Sequence, residues 1–241
     1  METRTALVTG AAQGLGQEFA VALAGRGYRV AGIDLVPQPE TAKRVLDYVE
    51  LIADVTDEEQ IRDALERVID RFGTLHVLVN NAGVYPELDF EDTSPEEWRR
   101  VMRVNLEAPF LLSRAVLPYL KAAGWGRIVN IVSAAVLTAP PTMVAYVASK
   151  AGLIGFTRAL ASALGPCGIT VNAIAPSMVR TATAERTVGA DGGFEHVRAQ
   201  QAVPRTQEPS DLVSTLLYVV DEGSGFLTGQ TLNVAGGSAY L

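Results

Sequence analysis

Among its 241 residues the chain holds one cysteine, Cys167, and two histidines, His76 and His196. A single thiol excludes an intramolecular disulfide, and so few Cys and His residues cannot build a metal cage, so no metal is expected. Positive charge is also scarce: 20 Lys and Arg stand against 27 Asp and Glu, a net charge of -7. Phosphate backbones and anionic membranes are held by clustered cations, so neither nucleic acid nor a membrane is an expected partner. No apolar run approaches the roughly 18 residues of a membrane span. Met1-Glu2-Thr3-Arg4 leads straight into an apolar strand without a signal-peptide pattern, and the expected compartment is the cytoplasm. No Ser/Pro/Gly-rich linker or internal repeat divides the chain, so residues 1–241 read as a single domain.

What is present is an alternation of short apolar strands with helical patterns. Strands are predicted over residues 5–9, 29–34, 49–53, 75–80, 127–132, 169–174 and 231–234. A glycine-rich turn after the first strand opens onto a helix patterned by Phe19, Ala20 and Leu23, whereas the Pro-bearing connection after the second leaves room only for a truncated helix. Thr56-Asp57-Glu58-Glu59 reads as a capping box, and Ile61, Leu65, Val68, Ile69 and Phe72 then share one helical face until Gly73. Ser94-Pro95-Glu96-Glu97 opens a long helix expected to run to Lys121, with Pro109 as its kink. Residues 143–164 and 211–220 supply two further helices. Strands and helices at this spacing predict an α/β, doubly wound (Rossmann) fold, a parallel sheet with helices on both faces.

Thr9-Gly10-Ala11-Ala12-Gln13-Gly14-Leu15-Gly16 sits where the first strand turns into a helix. Missing Cβ atoms let a diphosphate approach the backbone, and the helix N-terminus offers free N–H groups, so Gly10, Gln13, Gly14, Leu15 and Gly16 are candidate cofactor contacts. The loop alone also fits a plain tight turn. Asp34 decides between the two readings, because a carboxylate ending the second strand can accept from both ribose hydroxyls of an adenosine while repelling a 2′-phosphate. Leu35 follows it as a further contact, no Lys or Arg stands immediately after Asp34, and NAD(H) is predicted over NADP(H).

Ser133 is followed by Tyr146 and then by Lys150, one helical turn beyond the tyrosine. A tyrosine titrates near pH ~10, and a neighbouring ammonium is expected to lower that value into the working range. Ser133 ends a strand where open α/β sheets bind ligands, within reach of a substrate oxygen. The joint order of these residues behind a dinucleotide loop resembles the classical short-chain dehydrogenase/reductase family over essentially the whole chain. The resemblance extends to Asp54-Val55 at the adenine, to Asn80-Asn81-Ala82-Gly83, and to a catalytic tetrad of Asn105, Ser133, Tyr146 and Lys150. It implies a seven-stranded sheet, a homotetramer, a nicotinamide cofactor, and a water held by Asn105 that links Lys150 to solvent. It also implies that Tyr146 acts as general acid/base while Lys150 orients the ribose, and that Asn81, Ala82 and Gly83 contact the cofactor. Pro176-Ser177 departs from the family's usual Pro-Gly; Pro176, Ser177, Val179 and Thr181 remain candidates for the nicotinamide carboxamide.

A substrate flap is predicted over residues 177–203, around Met178, Val188 and Phe194. Tyr85, Ala134, Ala135, Met143 and Met178, with Val136 and Leu137, are candidate pocket walls, an apolar set with no charge for a carboxylate. The expected reaction is therefore interconversion of a ketone and a secondary alcohol on an apolar or aromatic small molecule. Val84-Tyr85-Pro86, Gly124-Trp125-Gly126-Arg127 and residues 175–183 resemble the 1-phenylethanol dehydrogenase branch, and residues 146–165 resemble pyridoxal 4-dehydrogenases as well; these regional likenesses nominate substrates without choosing one. The alternative is a 3-oxoacyl-[acyl-carrier-protein] reductase, ranked second because Ala122-Ala123-Gly124 and Gly165-Pro166-Cys167-Gly168, taken as the flanks of the entrance, carry no cation for an acidic carrier. A non-catalytic dinucleotide sensor ranks third, because all four tetrad residues are present.

Overall fold

The computed structural model describes residues 3–188 and 192–240. Among these, seven strands form one sheet: β1 Thr5–Thr9, β2 Arg29–Asp34, β3 Val49–Ile52, β4 Val77–Asn80, β5 Gly126–Ile131, β6 Ile169–Pro176 and β7 Thr231–Val234. Their spatial order is β3-β2-β1-β4-β5-β6-β7, and every adjacent pair is parallel. The helices are α1 Gly14–Gly25, α2 Pro39–Arg44, α3 Glu58–Phe72, α4 Pro95–Met102, α5 Ala108–Ala122, α6 Ala135–Thr138, α7 Val144–Leu164, α8 Ala182–Val188, α9 Gly193–Ala199 and α10 Ser210–Val220.

The apolar strands follow from their double burial. In β1, Ala6 and Val8 enter one core with Val30, Val79 and Val129, while Leu7 between them enters the other with Leu78 and Ile128. Successive strand residues point to opposite faces, so a strand covered on both sides must be apolar throughout. Phe19 and Leu23 of α1 and Leu212 and Leu216 of α10 close the first core. Ile61 and Val68 of α3, Leu112 and Val116 of α5 and Ala161 of α7 close the second. Leu7 and Leu78 have no exposed surface, and truncating either to alanine is expected to cost about 2–5 kcal/mol. Because β1 lies between β2 and β4, the chain leaves it first towards one edge of the sheet and later towards the other. The connections part at this switch point and open a crevice at the carboxyl ends of the strands.

Each predicted strand lies within two residues of the observed one, the usual latitude at element ends. Two helix expectations are corrected. The cap of α3 is Asp57, whose side chain accepts from the N–H groups of Glu59 and Gln60, while the Thr56 hydroxyl donates to Asp54 instead. The long helix from Ser94 is broken rather than kinked: a π-helical turn spans Arg103–Glu107 between α4 and α5. There the Ala108 N–H reaches back to the Arg103 carbonyl, one residue further than α-helical spacing. Pro109, just beyond, has no N–H for the carbonyl of Asn105, which favours the irregular spacing at that point. Ser94 caps α4 as expected, accepting from the Glu97 N–H at 3.1 Å.

The amino edge of the sheet is closed by an aromatic and cationic cluster. The guanidiniums of Arg4 and Arg127 lie 3.7 and 4.1 Å from the centroid of Trp125, on which His76 also packs. Arg127 donates to the carbonyls of Gly126 and Asp221, and Tyr28 to that of Val220. Burial lowers the Arg127 pKa and raises that of Tyr28. At the other edge the predicted flap contains α8 and α9. Its Phe194 is buried under the Arg180 guanidinium, whereas the side chain of Val188 and residues 189–191 lie outside the described residues. Among the described residues, no helix is long and apolar enough to cross a membrane.

Candidate active site

A cleft of about 1060 Å³ runs along the carboxyl edge from the end of β2 to the start of the flap. At one end Gly10, Gln13, Gly14 and Leu15 form its wall. Gly10 has φ +65°, a conformation that L side chains rarely adopt. Gln13 gives α1 no side-chain cap, so the first N–H groups of this helix remain open towards the cleft. Gly16 lies behind the wall: a Cβ there would collide with the Gly10 carbonyl, so the glycine permits helix and loop to pack.

Asp34, Leu35, Asp54 and Val55 line the adjoining section. Asp34 Oδ2 accepts from the Ala12 N–H at 2.9 Å, so the carboxylate both shapes the glycine loop and faces the cleft. Asp54 turns Oδ1 to the N–H and hydroxyl of Thr56, each at 2.8 Å. Behind Asp34, the fully buried Gln38 donates to the carbonyls of Gly32 and Leu51 and accepts from the Tyr48 hydroxyl. Thr41 fastens α2 to the Ala11 carbonyl at 2.7 Å. The cations of α2 are engaged elsewhere, Lys43 with Glu40 and Arg44 with Glu18. Asn81, Ala82 and Gly83 continue the wall, fixed by Thr9, whose hydroxyl accepts from the N–H groups of Asn81 and Ala82.

At the far end, Ser133, Tyr146 and Lys150 meet the cleft together. Ser133 Oγ accepts from the Ala135 N–H at 3.1 Å and is also hydrogen-bonded to Tyr146. Burial raises the Tyr146 pKa; the Ser133 hydrogen bond opposes this, and the Tyr85 ring edge, 6.4 Å away between centroids, adds to it. Lys150 is 4% exposed, donates to the Ile131 carbonyl at 2.7 Å, and has its pKa pushed down by burial to about 8. Its Nζ lies 5.8 Å from the Tyr146 ring centroid.

Asn105 is fully buried behind the cleft wall. Its Oδ1 accepts from the Val84 N–H at 2.8 Å; its Nδ2 donates to the Val84 carbonyl at 2.8 Å and to Ser149 Oγ at 3.1 Å. Ser149 in turn donates to the Tyr146 carbonyl, so Asn105 braces the helix that carries the tyrosine. Its side chain is thereby occupied by Val84 and Ser149.

Tyr85, Ala134, Ala135, Met143 and Met178 line the substrate end, as do Pro176, Ser177, Val179 and Thr181; Val136 and Leu137 do not. Sequence reasoning missed Arg99, Arg100 and Arg103 on the α4 side, Thr138 and Pro140 after α6, and Val197, Gln200 and Ser238 from distant segments. The pattern of α4 announces an amphipathic helix but not which cleft its arginines border. All three arginines are in any case engaged: Arg99 with Glu96 and Arg100 with Glu97 on α4, and Arg103, in the π-helical turn, with the Thr56 carbonyl. A further correction concerns the segments 122–124 and 165–168. They precede β5 and β6, so within the chain they lie at the amino edge, opposite the cleft, and say nothing about its entrance.

Residues 10–239 match the family model described as enoyl-(acyl carrier protein) reductase. Trans-4-hydroxycyclohexanecarboxylate dehydrogenase of Sinomonas cyclohexanicum is 38% identical over 97% of this chain and 92% of its own. The (2S)-[(R)-hydroxy(phenyl)methyl]succinyl-CoA dehydrogenase subunit of Thauera aromatica is 35% identical over 100% and 98%. Among solved structures, a Brucella melitensis 3-ketoacyl-(acyl-carrier-protein) reductase complexed with NADH superposes with TM-score 0.93 at 28% identity, covering 99% of each chain. A variant of the actinorhodin polyketide ketoreductase with NADPH gives 0.93 at 31%, covering 99% and 98%. The chain belongs to the short-chain dehydrogenase/reductase family. It is an oxidoreductase acting on CH–OH groups, of a family that binds a nicotinamide dinucleotide. The residues present fit that group: an uncapped helix N-terminus and close-packed glycines for the diphosphate, a carboxylate for the ribose, and a phenol at the opposite end of one continuous cleft.

Proposed function

We propose that the protein interconverts a secondary alcohol and a ketone on a ring-bearing, largely apolar molecule, using NAD(H). The observation that carries this reading is the convergence of Ser133 and Tyr146 at the end of the cleft opposite Asp34. The bound nicotinamide supplies the hydride acceptor in oxidation and the donor in reduction. In reduction, Ser133 and Tyr146 hold the ketone oxygen, and the protonated Tyr146 gives its proton to that oxygen as the carbonyl carbon gains hydride. In oxidation the alcohol proton passes to Tyr146 and the carbinol hydrogen leaves with its electron pair. Lys150 orients the ribose, Asn105 holds the relay water through its carbonyl, and Val179 and Thr181 take the carboxamide. Burial raises the Tyr146 pKa, which suits the proton-donor step of ketone reduction.

NAD(H) follows from Asp34 and from the engagement of Lys43 and Arg44 with Glu40 and Glu18, which leaves no cation of α2 for a 2′-phosphate. The apolar walls formed by Tyr85, Ala134, Ala135, Met143 and Met178 favour a ring, and of the two named relatives one is named for a hydroxyl beside a phenyl group in a succinyl-CoA and the other for a hydroxyl on a cyclohexane ring bearing a carboxylate. A carrier-linked 3-oxoacyl substrate is the second reading, favoured by the structural likeness to the Brucella reductase. On the family likeness we further propose a homotetramer, and a cytoplasmic location. The test is turnover with NADH and NADPH at equal concentration on acetophenone-like ketones, 4-oxocyclohexanecarboxylate and an acetoacetyl thioester. Ring ketones with NADH are expected to dominate; preference for the thioester or for NADPH overturns the corresponding choice. Tyr146→Phe is expected to lower kcat by about 10²–10⁴-fold while NADH affinity stays within about twofold.

A further inference from the structure

Ser177 occupies the position after β6 where the family usually has glycine, and Gln207 accounts for how the segment is held. Gln207 is 6% exposed. Its Oε1 accepts from the Ser177 N–H at 2.9 Å, and its Nε2 donates to the Val234 carbonyl at 2.6 Å. Its main-chain carbonyl accepts from the Arg180 N–H at 2.8 Å, and Val179 pairs with it in a parallel bridge. Pro176 is the partner of Val234 at the end of the β6–β7 ladder. The side-chain amide of Gln207 therefore adds one rung to that ladder, beyond the point where the main chains separate. One residue holds both ends of the segment from Ser177 to Arg180 and ties it to β7.

We propose that Gln207 is a positioning residue for the nicotinamide end of the cofactor site: by fixing the backbone after Ser177, it aims Val179 and Thr181 into the cleft. The inference rests on the proposed role of those two residues at the carboxamide. Without the amide, the Ser177 N–H and the Val234 carbonyl lose their partner in a buried setting, and the segment between them is free to shift. The adenosine end, built on Asp34 and the glycine loop, shares none of these bonds.

The test compares NADH with ADP-ribose, which lacks the nicotinamide. In Gln207→Leu, the dissociation constant of NADH is expected to rise ~10-fold, the size of one lost buried hydrogen bond, while that of ADP-ribose stays within about twofold. Gln207→Glu supplies a signature that loss of fold does not imitate. Only its protonated carboxyl can donate to the Val234 carbonyl, so NADH affinity measured relative to wild type, which shares the titration of Lys150 at about 8, should recover as the pH is lowered from about 8 to about 6. Parallel weakening of NADH and ADP-ribose, or a pH-independent Gln207→Glu, overturns the proposal in favour of a purely structural residue. Thr181→Ala separates the two layers. If it weakens NADH and Gln207→Leu does not, the positioning role falls while the carboxamide reading stands; if Thr181→Ala leaves NADH unchanged, the carboxamide reading falls.

Discussion

The two edges of the sheet are built from similar residues. At the amino edge, burial raises the pKa of Tyr28 and lowers that of Arg127; at the carboxyl edge it does the same to Tyr146 and Lys150. A perturbed tyrosine next to a perturbed cation therefore does not by itself mark a reactive site in this molecule. The surroundings make the distinction. Around Trp125 the cations close over the ring and the phenol points at a main-chain carbonyl, and none of these side chains lines the cleft. Around Tyr146 the serine and phenol border a cleft whose other end is an open helix N-terminus.

Substitutions at the two edges should therefore have opposite signatures. Lys150→Met is expected to reduce kcat about 10²–10⁴-fold, since the charge that orients the ribose is gone; steady-state kinetics at saturating NADH check this. Trp125→Ala should do the reverse, costing about 3–5 kcal/mol in urea unfolding through lost packing and cation–π contact, with kcat/KM unchanged. A kinetic defect there would erase the contrast between the edges.

Lys150 also gives the carboxyl edge a pH signature. Its amine titrates at about 8 in the fold, against about 10.4 when unfolded. Below pH 8 both states are protonated and the fold carries the whole cost of the buried ammonium. Between these values the unfolded chain holds more protons, so stability rises with pH. Relative to Lys150→Met, the wild type should gain about 3 kcal/mol between pH 7 and pH 10.5. A flat difference in urea midpoints across that range would remove the buried charge from the account. The smallest expected effect is at Asp34: Asp34→Ala should shift the NADH:NADPH ratio of kcat/KM about tenfold towards NADPH by removing the repulsion of a 2′-phosphate.

The legible parts of the molecule were those whose signal is local. β1, the glycine turn and α1 announce themselves within one short stretch, and Tyr146 with Lys150 within one helical turn. Thr56 and Asp57 are both good caps one position apart, and spacing alone does not choose between them. Pro109 marks the π-helical turn at Arg103–Glu107 locally, but the contacts that Asn105 makes there, with Val84 and Ser149, are far away in sequence. Gln207 was invisible for the same reason, since its partners are Ser177 and Val234. The mistaken entrance flanks had a remedy in the topology: segments that precede parallel strands lie at the amino edge, whatever their composition.

The Gln38–Tyr48 network behind Asp34 has an evolutionary consequence. A Cβ at Gly32 would collide with the Tyr48 hydroxyl, and Gln38 binds the main chains of both β2 and β3. Leu35, Val36 and Pro37, between Asp34 and Gln38, are exposed. The network therefore anchors the two ends of the turn while leaving its middle free to vary, so a lineage switching dinucleotides has three positions beside Asp34 at which a cation can arise without disturbing the core.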